Sequence, residues 1–286
     1  MKTIAILGTT ASAKSALSHE IALKNNMAIL SLDSLCIYKQ LNIVSAKVDK
    51  KMLNELSYFG IDIINLDSEF NVALFFNEYL KAKEHCIKHN KDLLICGGSA
   101  FYLYALMQGL APKIEDVKID ISFDEIYNLM QELDKESVIL KNDNFRLLKW
   151  YSIYKRTNEI PSLWLKNNTK KALISDIDIF ELCWEKELLN ERIVQRTNKM
   201  FDDNVLDEVI NLYKEYKDVK ALQCIGAKEI IQYYKKEIKS IDELKELIVI
   251  HTRQFAKRQR TFNNKFLRTK LNIKSEKDLQ QIYKYI

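Results

Sequence analysis

Between an apolar run, Ile4 to Leu7, and a stretch with helical spacing stands Gly8-Thr9-Thr10-Ala11-Ser12-Ala13-Lys14-Ser15, close to the phosphate-loop pattern G-x-x-x-x-G-K-[ST]. In such a loop successive backbone N–H groups and a helix N-terminus surround phosphate oxygens. Lys14 adds a point charge and the Ser15 hydroxyl can coordinate Mg2+, so all eight residues are candidate diphosphate or nucleotide contacts. Ala13 departs from the pattern by placing a methyl group at the second glycine position. Alanine adopts helical φ/ψ without penalty, so the loop is expected to survive with weaker anion contacts. The bland alternative is an ordinary strand-turn-helix that contains a lysine. The flanking strand and helix, with Lys14-Ser15 at the helix start, favour diphosphate.

Two further groups fall where strands should end. Asp33 follows the run Met27 to Leu32 and is placed at the carboxyl edge of a sheet, beside the phosphate loop. A carboxylate there can act as a general base or hold magnesium, or it can merely cap the next helix. Gly97-Gly98-Ser99 closes the apolar run Asp92 to Cys96 at the same edge. Its glycines permit close backbone approach, and Ser99 either donates to a ligand or caps the helix after it.

The elements that must position these groups alternate in type. Short apolar strands (Thr3 to Leu7, Met27 to Leu32, Ile61 to Ile64, Asp92 to Cys96) are separated by helical patterns (Lys14 to Lys24, Val72 to His89). That alternation predicts βαβ units and a parallel sheet. After a helix from Ser99 to Gln108, Pro112 opens a charged, helical stretch without clear strands. A last strand, Ile177 to Trp184, precedes helical periodicity almost to the C-terminus. The expected fold is α/β: a P-loop NTPase-like parallel sheet flanked by helices, with an inserted helical subdomain and a helical C-terminal part. Residues 1–111 and 176–286 would form the catalytic core and residues 112–175 the insertion.

Composition narrows the class of protein. The 286 residues include six glycines and two prolines, which excludes collagen-like and Gly-rich disordered chains. No apolar run approaches the roughly 20 residues of a membrane span, and the N-terminus lacks a signal-peptide pattern. The five cysteines have no C-x-x-C spacing, which argues against a disulfide framework or a zinc site and for a reducing cytoplasm. His85 and His89, four apart, read as a solvated helix. The net charge of +5 is weak evidence for a partner, but from Arg253 to Lys274 there are eight basic residues and no acidic one. On a helix continued through Asn263-Asn264, Arg253, Lys257, Arg260 and Arg268 cluster opposite Phe255, Phe262 and Phe266. The phenylalanines are then expected in the core and the basic row on a phosphate-bearing partner, the bland alternative being a solvated basic face.

In order along the chain, these blocks resemble the tRNA dimethylallyltransferases, also called tRNA isopentenyltransferases. The family's G-P-T-A-S-G-K-[ST] is similar to Gly8 to Ser15, and its D-S-x-x-[VI]-Y to Asp33-Ser34-Leu35-Cys36-Ile37-Tyr38. T-A-K resembles Ser45-Ala46-Lys47, and G-G-T-x-x-Y-x-x-A-L resembles Gly97 to Leu106. N-D-x-x-R-x-x-R is similar to Asn142 to Lys149, with Lys149 replacing the final arginine. R-I-x-x-R-x-x-x-M matches Arg192 to Met200, I-G-[YF]-K-E resembles Ile225 to Glu229, and T-R-Q-[YF]-A-K-R-Q is matched in full by Thr252 to Gln259.

The resemblance implies transfer of a dimethylallyl group from dimethylallyl diphosphate to N6 of adenine 37, beside the tRNA anticodon, with release of diphosphate. Asp33 would be the general base, Ser99 would orient Asp33 or the amine, and Arg196, with Arg146 second, would neutralise the leaving group. Asp33, Ser34, Leu35, Cys36, Ser99, Arg146, Lys149, Arg253, Lys257 and Arg260 would contact tRNA, as would the insertion. Mg2+ on Ser15 is the implied cofactor, and a cytoplasmic monomer the expected state. Two rivals keep the same motifs: a P-loop kinase of a small metabolite with ATP on Gly8 to Ser15, and a non-catalytic tRNA-binding protein with a decayed loop.

Overall fold

The computed structural model describes all 286 residues, Met1–Ile286. Six strands, β1 (Thr3–Gly8), β2 (Met27–Ser31), β3 (Tyr58–Phe59), β4 (Asp92–Gly97), β5 (Asp178–Trp184) and β6 (Thr269–Ile273), form one sheet in the order β3-β2-β4-β1-β5-β6. Every pairing is parallel. Parallel strands are covered on both faces, which is why β1 and β4 read as unbroken apolar runs and not as alternations.

Eleven α-helices accompany the sheet: α1 (Lys14–Lys24), α2 (Lys50–Glu55), α3 (Val72–Lys88), α4 (Ala100–Gln108), α5 (Phe123–Leu133), α6 (Asn144–Thr157), α7 (Pro161–Asn168), α8 (Lys186–Asp202), α9 (Val205–Tyr216), α10 (Ala227–Tyr234) and α11 (Ile241–Asn263). Short 3-10 segments occupy Lys220–Gln223 and Glu276–Lys284. No helix is long and apolar enough to cross a membrane.

Two sequence expectations need correction. The third strand lies at Tyr58–Phe59 and not at Ile61 to Ile64, because Gly60 (φ 75°) and Asp62 (φ 56°) turn the chain out of extended conformation. Ile64 makes only an isolated bridge to Tyr38. Nor does the C-terminal helix run through Asn264. It stops at Asn263, whose side chain is buried and donates to Glu181 Oε1 at 2.7 Å. The chain then returns as β6, where buried Leu271 and Ile273 alternate with exposed Lys270 and Asn272, the period-2 signature of an edge strand.

The chain divides into two compact units, Met1–Tyr104 with Asp176–Ile286, and Ala105–Ser175. The first contains the sheet and two apolar cores. In one, Ile4, Ile6, Ile21, Phe180, Ile193 and Ala256 join β1, α1, β5, α8 and α11. In the other, Leu41, Val205, Ile230 and Leu244 join α9, α10 and α11 to the segment after β2.

The second unit packs Ile126 and Met130 of α5 against Leu147, Trp150 and Tyr151 of α6. A Ser122–Glu125 capping box starts α5. Buried Asp134 accepts from Trp150 Nε1 (2.9 Å), Ser137 Oγ (2.8 Å) and Ser162 N (3.0 Å).

Candidate active site

The phosphate loop joins β1 to α1, and side chains hold three of its carbonyls. Lys14 Nζ donates to the Thr9 carbonyl (2.6 Å), Arg192 Nε to the Ala11 carbonyl (2.8 Å), and Trp184 Nε1 to the Ser12 carbonyl (3.1 Å). The Arg192 guanidinium also stacks over the Trp184 ring at 4.3 Å. Each tethered carbonyl helps fix the loop's peptide orientations. Gly8 is required because a Cβ there would lie 2.8 Å from Ser12 Oγ and 3.3 Å from the Leu182 carbonyl.

Ala13 does not take the helical conformation expected for it. Its φ is 64° and ψ 15°, in the left-handed region, and Ala11 has φ 60°. A Cβ in that region costs about 1–2 kcal/mol. The second glycine of the pattern is therefore a requirement on φ as well as on space.

A cavity of about 390 Å³ opens beside the loop, entirely within the first unit. Thr10, Lys14 and Ser15 form one wall, Asp33 to Cys36 a second, Gly97 to Ser99 a third, and Arg196 faces them from α8. Burial pushes the Lys14 ammonium down to about 8, with the Arg196 charge acting in the same direction and Asp33 opposing it. Burial lowers Arg196 as well, against the pull of Asp33.

Asp33 meets both of its sequence readings. Its Oδ1 accepts from the backbone N–H groups of Leu35 (2.8 Å) and Cys36 (3.4 Å), so it caps a turn and is itself fixed in the pocket wall. Ser99 is positioned by its N–H, which donates to the Leu32 carbonyl at 3.0 Å. Gly97 allows this approach, since a Cβ there would come within 2.5 Å of Leu32 Cβ. Tyr102, half-buried, hydrogen-bonds Ser34, and its phenol is pushed up to about 12 by burial and by the nearby Asp33 charge.

Helix α11 contributes more than cations. Ile248, Thr252, Phe255 and Gln259, spaced i, i+4, i+7, i+11, turn one face to the pocket. Phe255 is thus an exposed pocket residue, not a core one. Phe266 is buried, and Phe262 packs edge-on against Tyr104 and Phe101.

Arg253, Lys257 and Arg260 are exposed, as the basic-face reading requires, but Arg268 is not. Its Nε pairs with buried Glu181, both side chains being almost fully enclosed, so it is a structural cation. Arg146 and Lys149 stand on α6 of the second unit. Arg146 pairs with its own N-cap Asp143 (2.9 Å) and Lys149 with Asp116 (2.6 Å).

The residues missed from the sequence are Trp184, Arg192 as a loop brace, and Gln259. Only Gln259 left a usable signal, its i, i+3, i+7 spacing with Thr252 and Phe255 inside the fully matched block Thr252 to Gln259. His85 on α3 and His89 at its C-cap form a ring pair at 4.4 Å.

No cluster of three His, Cys, Asp or Glu side chains that could hold a metal occurs in the chain. The pocket does offer the Ser15 hydroxyl and the Asp33 carboxylate. These are hard oxygen donors, too few to cage an ion alone. They fit Mg2+ that arrives on phosphate oxygens and keeps several waters.

A parallel sheet with flanking helices and a strand-loop-helix phosphate loop defines a P-loop-like α/β protein. The chain belongs to the IPP transferase family, whose model matches residues 36–266. It is 49% identical over 272 residues to the tRNA dimethylallyltransferase of Campylobacter lari, covering 95% of this chain and 93% of that one. The crystal structure of a Staphylococcus epidermidis tRNA delta(2)-isopentenylpyrophosphate transferase matches with TM-score 0.72 and 27% identity, over 99% of this chain and 98% of that one. A eukaryotic dimethylallyltransferase acting on tRNA shares the fold, with TM-score 0.84 at 24% identity over 98% of this chain and 76% of its own.

Proposed function

We propose that this chain transfers the dimethylallyl group of dimethylallyl diphosphate to N6 of adenine 37, beside the anticodon of tRNA, releasing diphosphate. The observation that carries the reading is convergence: the phosphate loop with Lys14, the cation Arg196, and the carboxylate Asp33 all line one cavity. That is the arrangement needed to hold an anionic leaving group on one side of a reacting carbon and an amine on the other. The names of the relatives, which span nearly the whole chain, support the same substrates.

In the proposed reaction the N6 lone pair attacks C1 of the dimethylallyl group as the C1–O bond breaks and its electron pair leaves on diphosphate. Asp33 takes the N6 proton. The exocyclic amine is a weak nucleophile, and a positioned base contributes about 10²–10⁴ in rate. With Oδ1 held by two backbone N–H groups, Oδ2 is left for the proton. Lys14 and Arg196 oppose the charge growing on the departing diphosphate, in a pocket where burial strengthens each interaction. Ser99 orients the amine or the carboxylate. Mg2+ on Ser15 would supply further neutralisation of the diphosphate when bound.

The target base must leave its stack to enter the cavity, so RNA affinity has to come from backbone contacts. We assign those to Arg253, Lys257 and Arg260 on α11, with Ser34, Leu35 and Cys36 at the pocket and Arg146 and Lys149 on the insertion. We place its action in the cytoplasm, where a reducing environment suits five cysteines without C-x-x-C spacing, and expect it to act as a monomer.

The test incubates the protein with Mg2+, dimethylallyl diphosphate and an unmodified anticodon stem-loop, and weighs the RNA. A gain of one prenyl group is expected, and Asp33→Asn should lose turnover by about 10²–10⁴ at unchanged RNA affinity. RNA that binds without gaining mass would overturn the proposal in favour of a binding protein. Phosphorylation of a small acceptor with ATP would overturn it in favour of a kinase.

A further inference from the structure

Gln259 hydrogen-bonds both glycine-bearing loops of the pocket. Its Oε1 accepts from the Thr10 N–H of the phosphate loop at 2.8 Å, and its Nε2 donates to the Gly98 carbonyl at 2.9 Å. The side chain is buried, 7% exposed, and lies on the pocket-facing stripe of α11. Room for it is made on the far side, because a Cβ on Gly98 would collide with Gln259 Nε2. The φ of Gly98 is not in the left-handed region, so this contact, and not backbone conformation, is what the missing side chain serves.

A buried amide satisfied at both ends by main-chain groups has a single low-energy placement, since releasing either end leaves an unpaired polar group. The two groups it joins belong to opposite halves of the proposed reaction. Thr10 is in the loop assigned to diphosphate, and Gly98 precedes Ser99 at the position assigned to the adenine amine. We infer that Gln259 is a positioning residue that sets the distance and register between the diphosphate loop and the acceptor turn, so that C1 and N6 meet in line. This rests on the transfer reaction proposed above. Its reach comes from the rule that a misplacement of about 1 Å can reduce rate about 10²-fold without loss of binding.

The same bond makes a second statement about the loop. Thr10 N–H, one of the donors an anion would use, is engaged by Gln259 in the free protein. Removing the side chain should therefore not weaken diphosphate binding, while it should slow transfer. A residue that merely filled space would show the opposite independence: a hydrophobic side chain of equal length would replace it.

The experiment is single-turnover prenylation of the stem-loop with the full-length protein, comparing wild type with Gln259→Met, Gln259→Ala, Gly98→Ala and the Gly98→Ala/Gln259→Ala pair. Amplitude reports the active fraction and the rate constant reports positioning. Gln259→Met and Gln259→Ala are expected to lower the rate constant by roughly 10- to 100-fold with KM for dimethylallyl diphosphate unchanged or lower. Gly98→Ala should be slow alone yet add little in the Gln259→Ala background, because the collision is gone.

A wild-type rate constant in Gln259→Met, a raised KM with unchanged rate constant, or strict additivity of the pair would overturn the inference. Should the Gln259 variants fail to fold, Gly98→Ala still decides, since an unimpaired rate constant there excludes the bridge. Absence of product with wild type would count against the transfer reaction itself and is separately visible.

Discussion

At Ala13 the backbone turns left-handed at a residue that has a Cβ, and the loop's three carbonyl tethers hold it there. The strain lies in the loop's own backbone, so it bears on the stability of the fold as well as on anion affinity. Ala13→Gly relieves the Cβ clash but loosens the unfolded chain and gives up the methyl's packing against the core. The net expectation is a gain of about 0.5–1 kcal/mol, read as a higher melting temperature, with KM for dimethylallyl diphosphate little changed. A lower melting temperature would mean that the methyl's packing outweighs the strain.

Lys14 gives a prediction of different kind. Its ammonium is charged below a pKa that burial has lowered to about 8, and an anion binds the charged form. Affinity for dimethylallyl diphosphate should thus be flat below that pH and weaken above it, by up to about tenfold per unit as binding takes up a proton. Titration calorimetry from pH 7 to 9.5 checks this, and Lys14→Arg should abolish the inflection because arginine stays charged. A flat wild-type profile would refute it.

At the scale of elements, what could be read from the sequence depended on whether a feature was local. Strands β1, β2 and β4 announced themselves because a doubly covered parallel strand is a short apolar run between turn residues, and the phosphate loop because its spacing is its function. β3 has no such mark, since it has two residues and its boundary is set by the turn conformations of Gly60 and Asp62. β6 reads as a continuation of the helical stretch because its five residues hold only two apolar positions, Leu271 and Ile273, too few to set a period of their own.

The braces of the site were the least legible. Trp184, Arg192 and Gln259 act on loop main-chain atoms from 172, 181 and 249 residues away, and contact with a backbone atom imposes no pattern on the partner's side chain. Helix α11 illustrates the distinction. Its exposed cations were visible as a charge run, whereas Thr252, Phe255 and Gln259, three uncharged residues on the pocket face, had only periodicity to mark them. Arg268 belonged to the charge run by composition and to the core by its pairing with Glu181, a choice made by β5 and not by its neighbours.

For the whole molecule, the division of labour between the two units can be tested by removing one of them. Every residue lining the cavity belongs to the first unit, and the second has its own core around Trp150 and Tyr151. The chain leaves and re-enters at nearly one place: Lys170 N–H donates to the Leu110 carbonyl (3.1 Å) and Leu173 N–H to the Leu106 carbonyl (2.8 Å). Gly109, with φ 88°, permits this lacing, because a Cβ would collide with the Lys170 carbonyl.

Residues 111–169 could therefore be replaced by two glycines without stretching the junction. The shortened protein should melt cooperatively and bind dimethylallyl diphosphate with wild-type affinity. If the insertion grips RNA, through groups such as the exposed Phe145 and its neighbours Arg146 and Lys149, affinity for the full tRNA should fall by about tenfold or more, roughly 1.4 kcal/mol. A cooperative melt with lost diphosphate binding would show that the insertion supports the pocket. Unchanged tRNA affinity would instead assign RNA binding to the first unit alone, where the α11 cations Arg253, Lys257 and Arg260 would have to supply it and the salt dependence of binding would be that of the intact chain.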